Sequence, residues 1–253
     1  MARTLPARIA HVNPRYDVSR YDVSVMLGRL GLAAGAAWLG YAWGAHLATP
    51  LCVHRAPRAA GRRIALTFDD GPDPEWTPRV VDALAEWRVR GTFFLVGERA
   101  TRAPEAVRAI VAGGHEVASH GWSHRSLWLC GPRGTAHEID RAQEALATLS
   151  GVAPRFFRPP WGMVNAAMFP LLRARRLRPV FWSIQPEGLR PSPPDAQAAY
   201  VVTRAHPGAI VDLHDAEGTP GAPARLIAAL PEMIGGLRAA GYELTTVGEL
   251  LDS

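Results

Sequence analysis

There is no lysine in this chain; all 28 basic residues are arginine. That excludes a Schiff-base lysine and a phosphate-loop lysine, and with them two broad classes of covalent and nucleotide chemistry. Cysteine is almost as scarce. Cys52 and Cys130 form neither a metal-type pair nor a dense disulfide framework, and they leave the compartment open. A basic face spread over a domain is also missing. The net charge is +5, but residues 1–29 (Arg3, Arg8, Arg15, Arg20 and Arg29 against two aspartates) carry +3, leaving only +2 for the other 224 residues. A near-neutral body excludes the electrostatic footprint of a nucleic-acid binder. The expectation is no nucleic-acid partner and a monomer.

Long apolar runs are few. One uncharged stretch extends from Leu30 to Ala48, close to the lower limit of about 17 residues for a bilayer span. It is rich in alanine and glycine, with Trp38, Tyr41 and Trp43 in its C-terminal half. Arginines before it place the N-terminus in the cytoplasm and everything after Thr49 outside. The expected order is a basic cytoplasmic leader (1–29), a transmembrane or signal-anchor helix (30–48), a linker (49–62) and a catalytic domain (63–253). Two alternatives stay open: a buried helix, or a cleaved signal peptide with small residues at 42–44. A tandem repeat, RYDVSRYDVS (15–24), carries no chemistry, and Met26 could itself begin a compact export signal.

After residue 62, strand-like and helix-like runs alternate. Strands are expected over 64–68, 92–96, 116–119, 156–157, 179–184, 209–213 and 243–246. Helices are expected over 78–88, 104–113, 135–149, 166–176, 194–206 and 225–240. Such alternation predicts a parallel α/β sheet, at this length a barrel, with the chemistry where strands end.

Five strand-end stretches fit that rule. TFDDG (67–71) sets two aspartates side by side; along extended backbone their side chains point to opposite sides, so one could bind a metal while the other faces a reacting water. SHGWSH (119–124) places His120 and His124 four apart, on one face if the segment is helical. With a strand-end aspartate they make an Asp-His-His set that leaves a fourth position for water. FFRPPWG (156–162) carries Arg158, a fork suited to a carboxylate. VFWSIQPEGLRP (180–191) is a strand followed by a polar loop. AIVDLHDAEG (209–218) puts Asp212 and His214 on the same face of a buried strand. Each stretch alone also reads as ordinary structure: a turn and helix cap, solvated histidines, a surface arginine.

Taken in order, TFDDG, the paired histidines, RPPWG and LHD resemble the polysaccharide deacetylases of the NodB-homology group (carbohydrate esterase family 4), over about three quarters of the chain. The resemblance implies a distorted (β/α)7 barrel preceded here by the N-terminal hydrophobic helix. It also implies one divalent ion, Zn²⁺ first with Co²⁺ or another as alternatives, held by Asp70, His120 and His124. By the same match Asp69 is the general base, Arg158 its holder and His214 the general acid. The backbone at Trp161 helps hold the oxyanion, and Leu213 and Pro160 line the acetyl pocket. The implied substrate is an acetylated cell-surface polysaccharide, peptidoglycan or chitin-like, met outside the cytoplasm through the N-terminal helix.

Two departures stand out. The family's hydroxyl residue after the first histidine is Gly121 here. Its Asp-x-x-Asp-Trp motif, whose first aspartate tunes the acid histidine, aligns with Gln185, Gly188 and Leu189. Asp212 is expected to replace that partner of His214, with Glu187 second. Rival readings are an O-acetyl esterase or small-amide hydrolase on the same site, or a carbohydrate-binding pseudoenzyme.

Overall fold

The computed structural model describes residues 23–57, 60–188 and 190–252, with side chains from residue 28 onward. The first four leader arginines and most of the tandem repeat lie outside the described residues. Seven strands form one sheet: β1 (Arg63–Asp69), β2 (Thr92–Leu95), β3 (Glu116–Ser119), β4 (Phe156–Phe157), β5 (Arg178–Pro179), β6 (Ile210–His214) and β7 (Glu243–Thr245). Their order is β5-β4-β3-β2-β1-β6, with β7 paired to β1 below β2, and all pairs are parallel. The helices are α1 (Val23–Ala42), α2 (Trp76–Glu86), α3 (Gly97–Arg102), α4 (Pro104–Ala112), α5 (Pro132–Ser150), α6 (Met168–Ala174), α7 (Pro194–Arg204), α8 (Ala222–Ala239) and α9 (Val247–Leu251).

β1 is buried on both faces, as a parallel strand covered by helices must be. Ile64, Leu66 and Phe68 face outward into a core shared with Val80 and Leu84 of α2 and Leu230 and Met233 of α8. Ala65 faces inward, among Phe94, Ala118, Phe156, Val180 and Ile210. Each fully buried Phe or Leu contributes roughly 1.5–3 kcal/mol. The next inward positions on β1 are Thr67 and Asp69, and they bind the buried Arg158. The interior therefore has an apolar lower layer and a polar upper one.

The sheet is a curled half-barrel. The expected strand 179–184 is not continuous: only Arg178 and Pro179 pair with β4, after which Val180 bridges Val53 and Ile184 bridges Val211 of β6. At that break Arg158 binds the segment instead: its Nε donates to the Val180 carbonyl and its second amino group to that of Phe181.

Two boundaries differ from expectation. The linker 49–62 is partly built into the fold: Ala56 N–H donates to the Gly208 carbonyl at 2.8 Å, and Ala56 and Ala60 are buried. The compact unit accordingly begins at Tyr41, not near residue 63. The hydrophobic helix runs over Val23–Ala42 rather than 30–48, and Gly44–Leu51 is a 3-10 segment containing Pro50. No helix among the described residues is long and apolar enough to cross a membrane.

Candidate active site

β1 ends at Asp69, and the next residue leaves the strand. Asp70 has φ +72°, so the two carboxylates diverge through a left-handed turn residue rather than by strand alternation. Gly71 is required at the next position because a Cβ there would collide with both carboxylate oxygens of Asp215. Asp215 is fully buried; its Oδ2 accepts from the Thr77 hydroxyl, and its Oδ1 has no partner among the described residues. Burial pushes its pKa up to about 7, against the Thr77 hydrogen bond and with help from Asp70. Asp215 thus supports the aspartate turn from beneath, a role the LHD stretch does not announce.

His120 follows β3, and the loop to His124 is not helical; Gly121 (φ +80°) and His124 (φ +57°) are both left-handed. The two imidazoles still converge, with centroids 5.2 Å apart. Asp70 Oδ1 lies 2.8 Å from His124 Nε2 and 3.5 Å from His120 Nε2. One ligand atom from each of the three residues falls within 4.8 Å of the others. The set fits a divalent cation chemically. His120 Nδ1 is 2.9 Å from the Arg158 carbonyl, an acceptor only, so Nδ1 carries the proton and Nε2 is the ring atom turned to Asp70. Burial opposes the Asp70 charge, but hydrogen bonds and charge from His120 and His124 outweigh it and hold the carboxyl far below the usual range.

Behind this group sits Arg158, fully buried. Its NH1 donates to Asp69 Oδ1 at 2.6 Å, Thr67 Oγ1 at 2.9 Å and Asp212 Oδ1 at 3.0 Å, and the guanidinium lies 4.0 Å above the Phe94 ring. One cation thus serves two buried carboxylates. Burial raises Asp69 to about 6; Arg158 pulls it down and Asp212 pushes it up. Burial likewise raises Asp212 to about 6, with Arg158 opposing.

The expected tuning of His214 is not what the structure shows. Asp212 shares the face of β6 but turns to Arg158, where a buried anion finds the nearest cation. Glu187 is also engaged elsewhere: its Oε1 accepts from Arg225 Nε at 3.0 Å and from Ser192 N–H at 3.0 Å. No side chain among the described residues hydrogen-bonds the His214 ring. Leu189, aligned with the missing tryptophan, lies outside the described residues. His214 itself stands opposite Asp69 in the β1–β6 register.

Asp69, Asp70, His120, His124, Asp212 and His214 all line one cavity of about 590 Å³. Trp161, Trp182, Gln185 and Glu187 complete much of its wall. Trp161 is 59% exposed, at φ +62°, with its ring 4.9 Å from His124. Of two further expected lining residues, Pro160 is buried and packed toward Gly121, and Leu213 is buried in the core and lines a small adjoining pocket with Glu187, Asp212 and His214. Trp122 packs under the Arg141 guanidinium at 4.0 Å.

Residues 56–180 match the family model for polysaccharide deacetylase. The chain is 38% identical over 153 residues to a chitooligosaccharide deacetylase of Sinorhizobium fredii, covering 60% of this chain and 71% of that one. It is 31% identical over 191 residues to a peptidoglycan-N-acetylglucosamine deacetylase of Bacillus cereus, covering 75% and 68%. The crystal structure of the Bc1960 peptidoglycan N-acetylglucosamine deacetylase, in complex with an N-hydroxybenzamide, superimposes with TM-score 0.75 at 29% identity, over 79% of this chain and 92% of that chain. By this family match and these relatives, over a curled parallel sheet of the same fold, this chain belongs to the polysaccharide deacetylase family.

Proposed function

We propose that this enzyme removes N-acetyl groups from amino-sugar polymers of the cell surface, peptidoglycan or chitin-like chains, with the help of one divalent ion. The observation that carries the reading is the convergence of Asp70, His120 and His124 beside a buried, arginine-held Asp69. Two nitrogens and one oxygen suit Zn²⁺ first, with Co²⁺ or a related ion as alternatives. Such an ion would supply Lewis-acid polarisation of the amide carbonyl and a more acidic water.

The protein's own groups do the rest. Arg158 fixes Asp69 through Oδ1, which leaves Oδ2 on the His120 side, 3.9 Å from its Nε2. From there Asp69 takes the proton of the attacking water, and a pKa of about 6 suits a base working near neutrality. Trp161, beside His124, offers its backbone N–H to the developing oxyanion and its ring to a sugar face. His214, across the β1–β6 register from Asp69, delivers the proton that lets the amine leave.

A second reading follows from the His214 ring, which no side chain among the described residues hydrogen-bonds. An ester alcohol leaves more easily than an amine, so O-acetyl hydrolysis depends less on a tuned acid. Measuring acetate release from N-acetylated and O-acetylated oligosaccharides decides between them. Release from N-acetylglucosamine oligomers, lost on chelation and restored by Zn²⁺ or Co²⁺, is the expected result; ester cleavage alone would replace the first reading with the second.

Export is part of the proposal. Arginines followed by a short uncharged stretch have the order of an export or membrane-targeting signal. A reporter fused after Thr49 should be active only outside the cytoplasm; cytoplasmic activity without membrane association would remove this element.

A further inference from the structure

We infer that Glu138, on α5, is the positioning residue that shapes the metal-binding loop, acting through the backbone between His120 and His124; this rests on the metal reading above. The loop has no regular structure to hold it. It contains two left-handed residues, Gly121 and His124, and only the first is a glycine. A histidine stays in that conformation only if its surroundings impose it.

Those surroundings act from both sides. Glu138 is buried, and its Oε2 accepts from the Trp122 N–H at 3.1 Å and the Ser123 N–H at 2.9 Å. Its Oε1 accepts from the Ser123 hydroxyl at 2.7 Å. The loop's carbonyls are held by the start of α3: Gly97 N–H donates to the Gly121 carbonyl at 2.9 Å, and Glu98 N–H to that of Trp122 at 2.8 Å. Two of the four peptide units between the histidines, 121–122 and 122–123, are therefore tied to a helix through both N–H and C=O. The carboxylate is the component that the sequence could most easily lose.

Charge makes the Glu138 contact specific. A carboxylate accepts all three hydrogen bonds, whereas an amide in the same place offers one oxygen and one donor group. Among the described residues, no arginine pairs with Glu138, so these three donors are its counter-charge. The arrangement also explains how Gly121 is tolerated where the family carries a hydroxyl. A Cβ at Gly121 would lie 3.5 Å from Glu138 Oε2, and the loop hydroxyl is supplied two residues later by Ser123.

The test uses the full chain loaded with Zn²⁺ or Co²⁺. Affinities are measured by competition with a chromophoric chelator, geometry by the visible spectrum of the Co²⁺ form, and folding by circular dichroism. Glu138→Gln should weaken both ions by about 10- to 100-fold, the size typical of lost outer hydrogen bonds to ligands, and should change the Co²⁺ spectrum. Ser123→Ala, which keeps both backbone contacts, should do the same to a smaller extent, about threefold. A merely structural Glu138 would lower the melting temperature but leave the Co²⁺ spectrum unchanged. Wild-type affinity and spectrum in a folded Glu138→Gln would overturn the inference alone. If that variant does not fold, wild-type binding and spectrum in Ser123→Ala would do so. A wild-type chain that binds neither ion would overturn the metal reading itself.

Discussion

Replacing Arg158 by methionine keeps much of its length and removes its charge. Two fully buried carboxylates, Asp69 and Asp212, then lose their shared cation, and the carbonyls of Val180 and Phe181 lose a donor. Breaking a buried ion pair by removing one partner costs about 3–5 kcal/mol, and each orphaned buried acceptor adds about 1–3 kcal/mol, not additively. About 5 kcal/mol in total is the working figure. For a unit of about 210 residues, each kcal/mol moves the melting temperature by about 2–4 °C, so a fall of roughly 10–20 °C is expected. The sign of the pH dependence follows from the carboxyls. Without Arg158 their folded pKa values rise further above the unfolded value. Their contribution is then retained at low pH and lost as pH rises through the folded pKa. The deficit against wild type should be smaller at pH 5 than at pH 8. Adding Asp212→Asn removes one of the stranded charges and should recover at least about 1 kcal/mol. Circular-dichroism melts of the three chains at both pH values test this. A fall under about 4 °C, or a deficit equal at both pH values, would refute the idea that Arg158 neutralises the interior.

Three further outcomes are expected. Gly71→Ala should destabilise by about 1–3 kcal/mol, because its Cβ meets the Asp215 carboxylate, and Asp215→Ala on top of it should restore part of the loss; two simply additive losses in urea titrations would contradict the contact. Asp69→Asn should keep its metal while turnover falls by roughly 10²-fold or more, and loss of the ion by elemental analysis would exchange the roles of Asp69 and Asp70. Burial, with Arg90 nearby, lowers the His115 pKa to about 4, and its Nδ1 accepts from the Gly91 N–H. Stability from a neutral His115 is full above pH 6.5 and is lost as pH falls towards 4, by up to about 3 kcal/mol. His115→Gln should remove that part of the acid loss; an unchanged acid limb would show that His115 does not titrate on unfolding.

The strand-and-helix alternation, and candidate functional residues at strand ends, were legible in the residue pattern. Six of the seven expected strands occur much as expected, and the seventh, 179–184, survives only as Arg178–Pro179 and isolated bridges; a strand buried on both faces is a short apolar run with turn residues after it. The identities of Asp69, Asp70, His120, His124, Arg158 and His214 were equally legible, since each lies next to such a run. Their geometry was not. The histidines meet through a left-handed loop, not a helix turn, and what shapes that loop is Glu138, on a helix further along the chain. Asp212 was assigned to its neighbour on the strand, but a buried carboxylate goes to whatever cation the fold brings within reach, and that is Arg158 from β4's end. Asp215 became a support only once Thr77 and Gly71 were folded onto it. The residues 49–62 looked like a linker because a single bridge at Val53 and one at Arg55 leave no period to read. Local pattern records which side chains stand at the end of a strand; which charges share a dry interior is settled by contacts between segments far apart in sequence, and those form when the chain folds.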